Sequence, residues 1–168
     1  MKKNLVLTGM MASGKSIIGK SLSKKLGMQF VDTDDVIEKR LSLSITKIFK
    51  IKGESFFRKI EEEESIKLVK KEGLVIALGG GAFMNNIIRE NIKKSSFSVW
   101  LDLNSDEVFK RTRMNKKRPL LYNNSEDDFK KLYEERKKIY SLANCRIDCN
   151  SKNKNEIAEE IKKLYESI

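Results

Sequence analysis

The residues Gly9 to Ser16, within the stretch LVLTGMMASGKS, fit the spacing G-x-x-x-x-G-K-[ST]. Gly9 and Gly14 let backbone amides turn inward around an anion, where a Cβ would often obstruct. Met11, Ala12 and Ser13 complete the loop between them. Lys15 then reaches the β- and γ-phosphates, and the Ser16 hydroxyl is placed to ligate Mg²⁺. A buried apolar strand precedes the loop. An amphipathic helix follows it and adds its N-terminal partial positive charge. The stretch is a loop for binding nucleoside triphosphate.

Five further groups of residues have types suited to binding the reactants or moving a phosphoryl group. Asp32 and Asp34, in VDTDD, stand at the carboxyl end of a strand, where ligands sit in open parallel sheets. One is suited to face a metal and the other a second substrate; capping of the next helix by Asp32 or Thr33 is the competing use. In GESFFRKIEEEE, Arg58 presents its fork beside Phe49 and Phe57, and Glu61, one turn on, is spaced to orient it. A surface ion pair on an amphipathic helix is the competing use there. Gly79, Gly80 and Gly81 are costly to order together, which favours close approach of their backbone to a ligand. No aspartate ends that strand, so the metal-orienting acid falls to Asp32. Arg118 and Arg136 supply positive groups able to close over phosphates and shut out water. Arg111 and Arg113 end a helix and are suited to pack against a nucleotide base.

The composition narrows the chemistry further. There is no histidine, so no Ser-His-Asp triad, Cys-His pair or histidine metal site exists. The work must fall to carboxylates, Lys, Arg, backbone amides or a borrowed metal. Cys145 and Cys149 alone provide neither a disulfide framework nor a zinc site, so a reducing, cytoplasmic setting is expected. The strand beginning at Asn4 leaves no room for a secretory signal, and no apolar run is long enough to span a membrane. The net charge of +11 invites a nucleic-acid reading, yet the lysines are scattered among 24 acidic residues and are not interleaved with aromatics. A solvated lysine-rich surface is the simpler reading, and no nucleic-acid partner is expected. Attraction for a small polyanion comes second.

These residues need a scaffold that alternates strand and helix. Strands are expected at Leu5–Thr8, Met28–Asp32, GLVIALGGG, Phe97–Leu103 and, weakly, CRIDC. Helices are expected at Lys15–Leu26, with Ile17, Ile18, Leu22 and Leu26 on one face, at DDVIEKRL, at Gly53–Lys71 and at Ser151–Ile168. Ser105 is a plausible cap for the helix after the fourth strand. Such alternation indicates a parallel α/β sheet in one domain spanning 1–168. The acceptor-binding helical segment is expected at about 33–61. The polar, non-periodic stretch MNKKRPLLYNN, about 114–124, reads as a lid loop.

In their order and spacing, the phosphate loop, DTD, FR with Glu61, GGG, RPLL and ER with a following Y resemble the shikimate kinase family over nearly the whole chain. The resemblance implies a five-stranded parallel sheet flanked by helices, similar to nucleoside monophosphate kinases. It implies transfer of the γ-phosphoryl of ATP to the 3-hydroxyl of shikimate, on the route to aromatic amino acids. It puts Mg²⁺ on Ser16, with Asp32 acting through water. Asp34 would hold the ring hydroxyls, Arg58 and Arg136 the carboxylate, and Gly80 would approach through its backbone. Arg118 would close onto ATP, and Arg111 would lie near adenine. Two departures stand out: Ala12 where the family commonly has glycine, and Ser16-Ile17 where it has Ser-Thr. The competing functions are a related gluconate or nucleotide kinase and a non-enzymatic nucleic-acid-binding module. Nothing suggests an assembly helix, so a monomer is expected.

Overall fold

The apolar run of β1 (Asn4–Thr8) lies at the centre of a five-stranded sheet with every residue buried. In the computed structural model, residues 3–114 and 125–168 are described. β1 pairs with β3 (Leu74–Ala77) on one side and β4 (Ser96–Asp102) on the other. β2 (Gln29–Asp32) and β5 (Cys145–Asp148) form the edges, and every ladder is parallel. The register sets Asp32 opposite Ala77, and Ala77 opposite Leu7. The loops leaving β1, β2 and β3 therefore open at one level of the same sheet edge.

Seven α-helices flank the sheet among the described residues. α1 (Lys15–Leu26) buries Ile18, Leu22 and Leu26, four residues apart. Ile17 is out of phase with that stripe and half exposed, which corrects the expectation that it shares the core face. Gly19 leaves room for the Phe30 ring; a Cβ there would lie 2.4 Å from its edge. α2 (Thr33–Leu41) is followed by α3 (Ile45–Val69), which starts well before the expected Gly53. Gly53, at φ 82° and ψ 170°, is non-helical and divides α3 into two helical stretches. The second begins just after it, in keeping with the expected helix from Gly53; the first is unexpected. The earlier turns form because Ser44 caps them and Ile48 buries completely against α2.

The expected helices did not include α4 (Asn86–Ser95) or α6 (Glu126–Tyr140). Their apolar faces are sparse: Ile88 and Ile92 in the first, and Phe129, Tyr133 and Tyr140 in the second. α5 (Ser105–Met114) ends where the described residues stop. α7 (Lys154–Glu166) starts later than expected, behind a capping box between Asn153 and Glu156.

Burial gathers into two clusters. The larger surrounds the sheet. The smaller joins α2 to α3 through Ile37, Ile48, Phe57 and Ile60. No helix among the described residues is long and apolar enough to cross a membrane. Cys145 and Cys149 are free thiols, and burial pushes the Cys149 thiol up to about 12.

Candidate active site

The loop after β1 carries three positive φ values: 140° at Gly9, 61° at Ala12 and 99° at Gly14. A Cβ on Gly9 would lie 2.7 Å from the Leu101 carbonyl oxygen, so that position requires glycine. Ala12 adopts a left-handed conformation, at a cost of about 1 kcal/mol relative to glycine. The loop keeps its turn despite the methyl group. Lys15 is buried, and its ammonium donates to the carbonyls of Gly9 and Met10, each at 2.8 Å. The Ser13 hydroxyl is buried without a hydrogen-bond partner among the described residues. A loop with a buried ammonium, left-handed turns and an unpaired hydroxyl is built around an anion.

Asp32 caps α2, the competing use the sequence offered, and also binds the serine of the phosphate loop. Its Oδ1 accepts from the Asp34 amide at 3.0 Å, capping α2, while its Oδ2 accepts from the Ser16 hydroxyl at 2.6 Å. One hydroxyl and one carboxylate make a sparse all-oxygen donor set. No group of three or more metal-ligating Cys, Asp or Glu side chains occurs among the described residues. This set fits Mg²⁺, which keeps several waters and takes the rest of its oxygens from phosphate.

A second cluster of polar side chains is built around the glycine turn after β3. Thr33 is wholly buried; its hydroxyl donates to the Ala77 carbonyl at 3.3 Å and accepts from the Gly79 amide at 2.8 Å. That pair ties the start of α2 to the turn. The Gly79 amide is thus already engaged, and these glycines have a second reason to lack side chains. A Cβ on Gly81 would lie 2.4 Å from Arg58 Nη1, and one on Gly80 would lie 3.2 Å from the Met11 amide nitrogen. The turn is bare because Arg58 and the phosphate loop press against it.

Arg58 donates through Nη1 to Glu61 at 2.7 Å and through Nη2 to Glu54 at 3.1 Å, over the face of Phe57. Burial works against its charge, yet Glu61 and Glu54 hold its pKa above the ordinary value. Phe49 and Phe57 pack as a tilted pair, 4.6 Å between ring centroids and 37° between planes. Phe57 is buried in the α2–α3 cluster, so it supports Arg58 from behind. Glu61 also feels the charges of Asp34 and Arg136, which draws all four groups into one field. Arg136 comes from α6, and its Nη1 is buried with no hydrogen-bond partner among the described residues.

Lys15, Ser16, Asp32, Asp34, Arg58 and Arg136 therefore converge on one end of the sheet, with Gly79–Gly81 between the phosphate loop and the arginines. Arg111 stands apart: it is exposed on α5 and paired with Glu107 at 2.7 Å, while Arg113 lies over Phe109. Arg118 and all but the first residue of the expected lid lie outside the described residues. Sequence reasoning passed over Thr33 as a site residue, although it is the middle of DTD. It also left the Asp102 carboxylate unremarked. That buried group receives Arg146 at 2.7 Å and the Tyr133 hydroxyl at 3.2 Å.

A family model described as shikimate kinase matches residues 11–166. A shikimate kinase of a Sulfurihydrogenibium species is 44% identical over 159 residues, covering 95% of each chain. One from Bartonella quintana is 42% identical over 161 residues, covering 95% of this chain and 77% of its own. The solved shikimate kinase from Acinetobacter baumannii in complex with shikimate superposes with a TM-score of 0.94 at 32% identity. It spans 99% of this chain and 94% of that one. A gluconokinase from Sinorhizobium meliloti shares only the fold, at 14% identity and a TM-score of 0.60. The family model spanning residues 11–166 and relatives at 42% and 44% identity over 95% of the sequence agree with the sheet order β2-β3-β1-β4-β5 and the loop after β1, and the chain belongs to the shikimate kinase family.

Proposed function

We propose that this enzyme transfers the γ-phosphoryl of ATP to the 3-hydroxyl of shikimate, giving shikimate 3-phosphate and ADP, and that the residues converging on the glycine turn carry the reaction. The observation that supports it best is Arg58 and Arg136 facing one acidic pair, Asp34 and Glu61, across a turn that abuts the phosphate loop. Two forked donors suit a carboxylate, and an acid beside them suits a hydroxyl.

In this reading the loop amides of Met11 to Ser16 cradle the phosphates. Lys15 leaves the Gly9 and Met10 carbonyls to neutralise charge on the transferring group. Arg58, Arg136 and the Gly80 backbone hold the acceptor by its carboxylate end. Asp34 aims the 3-hydroxyl and receives its proton as the new O–P bond forms and the bond to the β-phosphate oxygen breaks. Mg²⁺, bound by Ser16 and through water by Asp32, would supply charge neutralisation for the phosphates. Arg118, carried over from the RPLL motif, would close from the lid over ATP, and Arg111 would lie near adenine. We place the enzyme in the cytoplasm as a monomer, in keeping with its free thiols.

A panel of acceptors tests the reading. ADP release should depend on shikimate, with gluconate and nucleoside monophosphates supporting little turnover. Equal turnover with gluconate would move the enzyme to a neighbouring acceptor class.

A further inference from the structure

The acceptor arginines come from different elements: Arg58 from α3 and Arg136 from α6. Something must hold α6 at a fixed height over the glycine turn, or the two forks will not match one carboxylate. Tyr140 stands four residues after Arg136, on the same face of α6, and is 1% exposed. Its hydroxyl donates to the Gly80 carbonyl and lies 3.9 Å from the Met10 sulfur. Its ring stacks between Phe83 and Trp100, with centroids at 6.4 and 6.2 Å. On either side of that carbonyl, Gly79 meets Asp34 and Glu61, and Gly81 meets Arg58. The chain thus makes one hydrogen bond from the helix of Arg136 to the middle of the turn on which Arg58 rests.

We infer that Tyr140 is a positioning residue for acceptor recognition: its hydroxyl, through the Gly80 carbonyl, sets the spacing between Arg136 and Arg58. This rests on the proposed role of Arg136 at the acceptor carboxylate. The ring fills the core and the hydroxyl sets the register, so the two contributions separate in a Tyr140→Phe protein. Phenylalanine keeps the stacking on Phe83 and Trp100 and removes the hydroxyl that bonds to Gly80 and approaches the Met10 sulfur.

The test is steady-state kinetics of the full-length wild-type, Y140F, R136A and Y140F/R136A proteins, with shikimate and ATP varied separately and melting temperatures read alongside. Y140F is expected to raise the shikimate KM about tenfold, the loss of roughly one well-placed hydrogen bond, with the ATP KM within about twofold. In the R136A background the same change should add little, because the fork it positions is gone. A shikimate KM unchanged in Y140F, an ATP KM raised as much, or full additivity with R136A would each overturn the proposal. An R136A protein with normal shikimate KM would instead sink the role of Arg136, and this inference with it. A raised KM in R136A beside a normal one in Y140F would sink this inference alone.

Discussion

Asp34 and Glu61 present carboxylate oxygens to the same point in space: a Cβ added to Gly79 would lie 2.8 Å from Asp34 Oδ1 and 2.8 Å from Glu61 Oε1. Two acids so close do not ionise independently. Burial is the larger cause that pushes the Glu61 carboxyl above its ordinary value; Arg58 pulls it back, and Asp34 raises it again. The acid that steadies Arg58 thus takes up a proton more readily than an ordinary carboxylate.

A pH dependence follows from that position. A raised folded-state pKa means that the Glu61 contribution to stability is fully present below its ordinary value of 4.5 and is lost as pH rises through the raised value. Function runs the other way, since protonated Glu61 loses its charge-assisted grip on Arg58. The shikimate KM should rise as pH falls toward 4.5, while in Glu61→Gln it should be high throughout and lose this dependence. Denaturation of both proteins across that range should show wild type losing stability relative to Glu61→Gln as pH increases. A constant stability difference and parallel KM profiles would exclude titration of Glu61.

Gly81→Ala should raise the shikimate KM without unfolding the protein. Its new Cβ would occupy space 2.4 Å from Arg58 Nη1, and the arginine is the flexible partner that must move. Circular dichroism should be native and ATP affinity within about twofold. An unchanged shikimate KM would mean that Arg58 does not need its present seat.

Lys15→Met should abolish most turnover. The side chain is buried, and methionine has similar length without the charge, so the loss falls on the transition state and is on the order of a hundredfold or more. Turnover near that of wild type would remove the phosphate loop from the mechanism.

Asp34→Asn should lower turnover far more than it lowers ATP affinity. Asparagine keeps the shape but cannot take up the hydroxyl proton. Isothermal titration with ATP, beside rates under saturating acceptor, separates the two effects. Survival of both acceptor binding and turnover would remove Asp34 from the acceptor site.

Arg58→Ala and Arg136→Ala should each raise the shikimate KM by about tenfold to more than a hundredfold, at roughly 1.5 to 3 kcal/mol per charged hydrogen bond. Lysine should not rescue either position, because a point charge lacks the fork. A shikimate analogue with a neutral amide should be a poor substrate for wild type and lose little further in Arg58→Ala. Equal phosphorylation of acid and amide by the wild-type protein would refute the clamp.

The legible part of the site was local. The phosphate loop is a contiguous pattern, and Glu61 sits three residues after Arg58, a spacing that brings side chains together on any helix. Asp32 was legible as a helix cap; only the fold shows that its second oxygen accepts from the Ser16 hydroxyl. Gly53 was legible as a helix terminus; the helical stretch before it was hidden, and packing of Ile48 and Phe57 joins the two stretches across the break. The bond from Tyr140 to Gly80 spans 60 positions, and the Thr33 hydroxyl reaches the Gly79 amide 46 positions away. No periodicity reports contacts of that range. Each depends on how the sheet edge brings its loops to one level.

The division of the apolar interior has an evolutionary consequence. Ile37, Ile48, Phe57 and Ile60 form a nucleus of their own behind Arg58 and Glu61, separate from the cluster around the sheet that carries the phosphate loop. Drift in that small nucleus can tilt the arginine and its acid while the nucleotide machinery keeps its foundation. Such a scaffold can explore new acceptors through conservative changes at a few hydrophobic positions, retaining the phosphoryl donor as a fixed inheritance.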